Sequence, residues 1–377
     1  MFLGRPSLQF LFRILCAITF GVVVLAALTA VPASAQTGVI AFRDDCTHLL
    51  YAMHGDGTGR IALPLPPRPL PTDTYVDPLV LDVTRSGPLT VVYYVGIGRL
   101  DSQNVLTLVD HGLFAVQVDD VGGVLTPDLP VRLSLPEITG VDPNSARHGS
   151  LSAGVDRLAL VADSPNASIL MTAKVERDST LKIAGLSELT VVGDLLTIGV
   201  PDPNFPNALG MTGTVAYSPD GANIVASIYF DLWRIYLSTG KTELLTPNTD
   251  RFAEWNPSFS PNGNAVAFTR SQIRNDGSLS RDSDIYSLTL ANGVVTAVTT
   301  NNNAGNAATV RNNAMWSSDN QWIGFSAYTS FRTPRNAPCS WLVNSEIFLI
   351  RADGSTTATQ ITNTNGSSVE VWPRWGW

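Results

Sequence analysis

Residues 256–268 read NPSFSPNGNAVAF. Pro, an aromatic, Ser-Pro, a polar-Gly turn and an alternating apolar run follow one another. Asn262-Gly263 marks a tight hairpin turn, because Gly tolerates positive φ and Asn hydrogen-bonds its own backbone. The order predicts a strand ending at Phe259 and a second strand over Ala265–Phe268. The pattern recurs as VAYSPDGANIVA at 215–226 and as AMWSSDNQWIGF at 314–325, where Asn320 replaces Gly. The anchoring aromatics Tyr217, Phe259 and Trp316 are spaced by 42 and 57 residues, and Trp375 follows 59 later. Periods of this size belong to solenoids and propellers.

Each unit predicts four strands. The third lies at Leu232–Tyr236, Asp284–Leu288 or Glu346–Ile350, and the fourth closes at Leu245-Thr246, Val298-Thr299 or Ile361-Thr362. Weaker versions of the rhythm run through the N-terminal half: Gly38–Phe42 with Leu50–Met53 and Arg60–Leu63, Leu79–Val95 with Gly112–Val118, and His148–Ala162 with Ser168–Val175. The first of these lacks a first strand, and Val371–Gly376 is a first strand with nothing after it. The expectation is an all-β, six-bladed propeller of four-stranded antiparallel blades, its ring closed by the C-terminal strand joining the N-terminal blade. No linker or composition shift marks a second domain within 36–377.

Residues 1–35 have the layout of a secretory signal peptide: Arg5 and Arg13, an uncharged apolar run from Ile14 to Val31, and Ala33-Ser34-Ala35 before Gln36. The alternative is an uncleaved anchor. Removal takes the formal charge from −8 to −10. Such an acidic chain repels phosphate backbones, which argues against a nucleic-acid partner. Only 15% of residues are charged, with Asn, Ser and Thr supplying the polar surface, which points to a protein exported to the periplasm or beyond. No membrane span is expected after cleavage, and a monomer is expected. The remaining cysteines, Cys46 and Cys339, form an isolated pair that in an exported protein invites a disulfide.

The repeat resembles that of the TolB-type propeller family: Pro-x-aromatic-Ser-Pro-Asp-Gly, Ile-Ala-Phe, Ile-Tyr, Gly, Leu-Thr. Pro257–Phe268 and Tyr217–Ala226 carry it well, the first and last units in part, and the second and third by rhythm alone. TolB places a smaller α/β domain before its propeller. Here the signal peptide runs almost directly into Val39, so that domain is expected to be absent, and with it a Tol–Pal envelope role. Related repeats occur in propellers attached to serine peptidases and in polysaccharide lyases, and fold does not choose among them.

Strand order puts the connections after second and fourth strands on one face. Gly96–Asp110, Arg270–Ser283, Asn301–Asn313 and Ala327–Ser345 are expected there as long loops, the usual place for a binding surface. Glu254, Trp255, Asn312, Glu370 and Trp372 should stand just before inner strands, at the mouth of the central channel, where acids and aromatics could hold a sugar, a cation or a peptide end. Arg270, Arg274, Arg281, Arg332 and Arg335 fall on two adjacent loops of that face as a candidate patch for an anionic partner. Cys46 and Cys339 fall in equivalent loops of the two blades that ring closure makes neighbours. Glycan or protein binding by a non-enzymatic scaffold is the first expectation.

The chain has no nucleophile elbow, phosphate-binding loop, dinucleotide fingerprint or His-Glu-x-x-His. No cofactor is expected, with two candidates for a metal set beside that. Asp276–Asp284 spaces oxygen ligands as a calcium loop does, without an EF-hand's Gly and Glu positions. His48, His111 and His148 should share the long-loop face, where they could bind a transition metal. That is the alternative reading, a metal-dependent, lyase-like, carbohydrate-active enzyme.

Overall fold

The computed structural model describes residues 38–363 and 370–376, except 85–87, 104, 137, 139–140, 153, 165–166, 200–212, 247–250, 275–277, 306, 308–309 and 331–343. The signal segment, Cys339, Arg332 and Arg335 therefore lie outside the described residues. Blade one contributes β1 (Val39–Asp44), β2 (Leu49–His54) and β3 (Ile61–Ala62). Blade two holds β4 (Thr74–Val83), β5 (Thr90–Leu100), β6 (Leu106–Val121) and β7 (Val124–Pro127), with β8 (Val131–Leu133) added against β6. Blade three is β9 (His148–Leu151), β10 (Arg157–Ser164), β11 (Ala167–Arg177) and β12 (Ile183–Asp194). Blade four is β13 (Val215–Tyr217), β14 (Asn223–Ile228), β15 (Asp231–Tyr236) and β16 (Thr242–Leu244). Blade five is β17 (Phe252–Phe259), β18 (Ala265–Ile273), β19 (Leu279–Thr289) and β20 (Val294–Ala297). Blade six is β21 (Arg311–Trp316), β22 (Trp322–Ser330), β23 (Asn344–Arg351) and β24 (Thr359–Gln360). The last strand, β25 (Glu370–Gly376), pairs antiparallel with β1 in the register Ile40↔Trp375 and Ala41↔Arg374, completing blade one and closing the ring.

The inner turn accounts for the Ser of the repeat. Ser260 Oγ donates to Asn262 Oδ1 at 2.8 Å and accepts from the Ala265 N–H at 3.0 Å. Ser218 does the same with Asp220 and Asn223, and Ser317 with Asp319 and Trp322. One hydroxyl thus ties the turn's acid or amide to the start of the second strand. Gly221, Gly263 and Asn320 adopt φ of 71°, 72° and 59°, which explains why only Gly or Asn stands there.

The closing Thr has an equally local reason. Thr246, Thr299 and Thr362 each accept through Oγ1 from an N–H of the third strand, that of Leu232, Ile285 and Ile347 respectively, at 2.8–2.9 Å. Thr299 and Thr362 donate onward to the preceding acids, Asp284 and Glu346. The fourth strands end a residue or more before the expected Leu-Thr, Val-Thr and Ile-Thr pairs, because the Thr side chain replaces the next ladder bond.

The anchors seal blade to blade. Tyr217 packs on Ala159 and Val161 of blade three, Phe259 on Ala216 and Val225 of blade four, and Trp375 on Met315 and Ile347 of blade six. Trp316 reaches back to blade five, where its Nε1–H donates to the Ser258 carbonyl at 3.1 Å. Within blades, the second and third strands face stacked aromatic pairs across the ladder: Phe42–Tyr51, Tyr93–Phe114, Phe268–Tyr286 and Phe325–Phe348. Such pairs add roughly 0.5–1.5 kcal/mol each beyond the area they bury.

Two of the expected long loops are strands. β5 and β6 stay paired through Gly96↔His111 to Leu100↔Leu106, and β18 and β19 through Arg270↔Asp284 to Ile273↔Leu279. Gly96–Asp110 and Arg270–Ser283 are therefore mostly protruding hairpins. Among the connections that lie wholly within the described residues, 63–73 follows a fourth strand.

Candidate functional site

The inner strands do not run straight into the channel. The ladder slips between Trp255 and Ser258 in β17, between Asn312 and Met315 in β21, between Val76 and Leu79 in β4, and between Val371 and Arg374 in β25. These are β-bulges, and three contain a proline: Pro78, Pro257 and Pro373. Proline has no N–H for the ladder, so an interior strand accepts it only at such a break. Asn256 and Asn313 take φ of 52° and 59° in their bulges. Bulges beside a channel re-aim side chains.

A cavity of about 240 Å³ lies beside two of these bulges, lined by residues of blades five, six and one. Asn256, Asn312, Asn313 and Ser326 supply its amides and hydroxyl, Trp255 and Tyr328 its aromatic wall, and Asp45 a carboxylate from the β1–β2 connection. Asn256 Nδ2 donates to Asn313 Oδ1 at 2.6 Å, and Asn313 Nδ2 to Ser326 Oγ at 3.2 Å. Among the described residues Asn256 Oδ1, which is buried, has no hydrogen-bond partner. Burial raises the Tyr328 phenol, and the Asp45 charge adds to it, so the hydroxyl remains a donor. Asp45 forms an ion pair with Arg43 Nε at 2.6 Å, which also lies 3.4 Å, through its Nη2, from His48 Nδ1.

Trp255 and Asn312 line this cavity, and both stand inside inner strands because the strands continue past their bulges. Glu370 and Trp372 lie in β25, on the same stretch of inner strand. Glu254 does not face the channel. It is 2% exposed and forms an ion pair with its cross-strand partner Arg270, whose Nε and Nη2 both reach Glu254 Oε1, at 2.9 and 2.8 Å. Arg270 is boxed by the rings of Phe252 and Tyr286, at 4.6 and 5.0 Å. Both are committed to the fold, so the proposed arginine patch loses Arg270. Arg274 is exposed at the tip of the β18–β19 hairpin, and Arg281 lies on β19.

The three histidines do not converge. His48 is turned to Arg43. His111 Nε2 meets Asp142 Oδ2 at 2.7 Å, its ring tilted against Tyr94. His148 opens β9 and lines a separate cavity with Arg147 and Arg374. Desolvation holds the His148 imidazole below its ordinary value; Asp163 opposes that shift, and the two arginines add to it. Among the described residues no three His, Cys, Asp or Glu side chains are grouped as metal ligands. Asp284, the last acid of the candidate calcium stretch, is taken by Thr299 and Arg311.

Sequence reasoning missed Asn256, Asn313, Arg147 and Arg374. A signal was present for the first two. Thr214, Asn256, Asn313 and Trp372 each stand three residues before an anchor, so they occupy one position of the repeat.

Neither a family model nor a curated protein matches the chain. Among solved structures, TolB from Acinetobacter baumannii is similar at a TM-score of 0.50 and 13% identity, over 91% of this chain and 68% of that one. A putative TolB from Agrobacterium tumefaciens gives 0.46 and 12%, over 90% and 98%. An oligogalacturonate lyase from Vibrio parahaemolyticus gives 0.42 and 9%, over 85% and 84%. The chain has the fold of the TolB-like six-bladed propellers. At these identities the likeness defines the fold and leaves the activity to the chain's own residues.

Proposed function

We propose that the chain is an exported, non-enzymatic binding propeller that holds a glycan or protein partner at the channel mouth. The observation that carries this is the amide-lined cavity, with Asn256 Oδ1 buried beside Trp255 and Tyr328 and lacking a partner among the described residues. Amides that donate and accept, next to aromatic faces, suit hydroxyl-rich or peptide ligands, and an unsatisfied buried acceptor is an unfilled demand for a donor. The test is capture of oligosaccharides and of extracytoplasmic proteins by residues 36–377. Trp255→Ala and Asn312→Ala should abolish capture while the fold is retained; capture that survives both changes would refute the reading.

Cys46–Cys339 pairing belongs to the same proposal. Asp45, beside Cys46, lines the same cavity as Tyr328 of β22, the strand that precedes Cys339 in the sequence. A bridge there would stabilise the closing seam by about 2–4 kcal/mol. Among the described residues no helix is long and apolar enough to cross a membrane. The alternative, metal-dependent chemistry on carbohydrate, needs His48, His111 and His148 to meet, and their separate partners favour the binding reading. Stoichiometric zinc or manganese in the purified protein, lost on replacing the three histidines with alanine, would reverse that preference.

A further inference from the structure

The second cavity, about 100 Å³, is walled by Leu79–Leu81 of β4, Thr214 and Val215 of blade four, and the basic side chains of Arg147, His148 and Arg374. Among the described residues no carboxylate lines it. In a chain of net charge −8, this is a local reversal of sign. The Arg374 guanidinium is fixed before any ligand arrives, with Nε on the Leu81 carbonyl and Nη1 on the Pro373 carbonyl, both at 3.1 Å. Arg147 lies 5.6 Å over the Tyr94 ring. Asp163 on β10 is the acid that acts on His148, and it is exposed and takes the Ser168 hydroxyl at 2.6 Å.

The volume is that of about three waters, enough for one oxyanion group and too small for a whole ligand. The two cavities adjoin: Thr214, in the wall of this one, accepts through Oγ1 from the N–H of Asn256, in the wall of the other, at 3.1 Å. We propose that the cavity is an oxyanion subsite, taking the carboxylate or phosphate group of a ligand whose uncharged remainder lies in the amide-lined cavity. The second half of that statement rests on the binding reading above; the first half stands alone. An anion in the cavity would offset the desolvation and the arginine charges that disfavour the protonated His148 imidazole. Affinity therefore rises as pH falls through the histidine range.

The experiment follows the His148 imidazole resonances in residues 36–377 during titration with glucuronate, glucose and inorganic phosphate. Saturable shifts with glucuronate or phosphate, and none with glucose, are expected, with tighter binding at about pH 6 than at about pH 8. Glucuronate alone identifies a carboxylate subsite, and phosphate alone a phosphate subsite. Arg147 is exposed, so Arg147→Ala leaves the fold intact and should weaken the anion about tenfold or more; Arg374→Lys should weaken it with the charge kept. No shift with either anion, or unchanged affinity in Arg147→Ala, overturns the proposal. Phosphate or glucuronate binding that persists while partner capture fails would remove the binding reading and leave the subsite standing.

Discussion

The inner hairpins of blades five and two make the same connection with different residues. In blade five, Ser260 N–H donates to the Ala265 carbonyl while its hydroxyl accepts from the Ala265 N–H. In blade two, Thr84 N–H donates to the Thr90 carbonyl while its hydroxyl accepts from the Thr90 N–H at 2.7 Å, around a turn one residue longer. Blade three keeps the backbone bond alone, from Ser152 to Arg157, and turns its hydroxyl to the Ser218 carbonyl of blade four. The anchor before the hydroxyl is Phe259 in blade five, Val83 in blade two and Leu151 in blade three, all buried. The fold asks for a hydroxyl at one position and bulk at the position before it. Aromatic identity and the Asp-Gly turn are one way of meeting that demand.

The comparison can be broken hardest at the anchors. Trp316→Ala should cost about 3–5 kcal/mol, from lost packing and from an orphaned Ser258 carbonyl, and Leu151→Ala about 2–4 kcal/mol. Equal losses in urea unfolding would mean that the indole bond adds nothing to bulk. Next is the Glu254–Arg270 pair, whose counterpart in blade two is Asp73–Arg99. Arg270→Leu should destabilise by about 3 kcal/mol, because it leaves a buried carboxylate uncompensated, and Glu254→Leu with Arg270→Leu together by less than the sum of the two. A double-mutant cycle with no coupling would show that the two groups act independently. At the hydroxyl, Ser260→Ala and Thr84→Ala should each cost about 1 kcal/mol, with the two effects additive across blades. A silent Thr84→Ala would end the equivalence drawn here.

The smallest effect concerns pH. The Arg99 hydrogen bond, opposed by burial, holds Asp73 below the usual aspartate value. Its contribution to stability is complete above the unfolded value and is lost as pH falls through the lower folded one. Arg99→Met should flatten that part of the acid limb of a stability–pH curve; an unchanged limb would remove Asp73 from the account.

Legibility tracked locality. The Ser-Pro-Asn-Gly turn, the anchors and the closing strand were readable because each depends on residues within a few positions of one another, or on an incomplete unit at either end. The bulges were not, because a slip in register is a relation between two strands. Glu254 and Arg270 stand 16 residues apart and were both assigned to the rim, although their pairing across β17 and β18 buries them in the blade. Trp255 and Asn312 were found by their position before an anchor. Arg147 and Arg374 stand 227 residues apart in the sequence, and only the closed ring places them on one cavity.

That closure also orders events in time. The bond from Arg374 to Leu81 spans 293 residues, so it waits for almost the whole chain. Until β25 arrives, β1 is an open edge with unpaired N–H and C=O groups, a template for wrong partners. Non-local pairing of this kind folds slowly. A ribosome stalled before Glu370 would release a five-bladed intermediate with a sticky first blade, whereas a chain held unfolded until its last strand is made would close in one step.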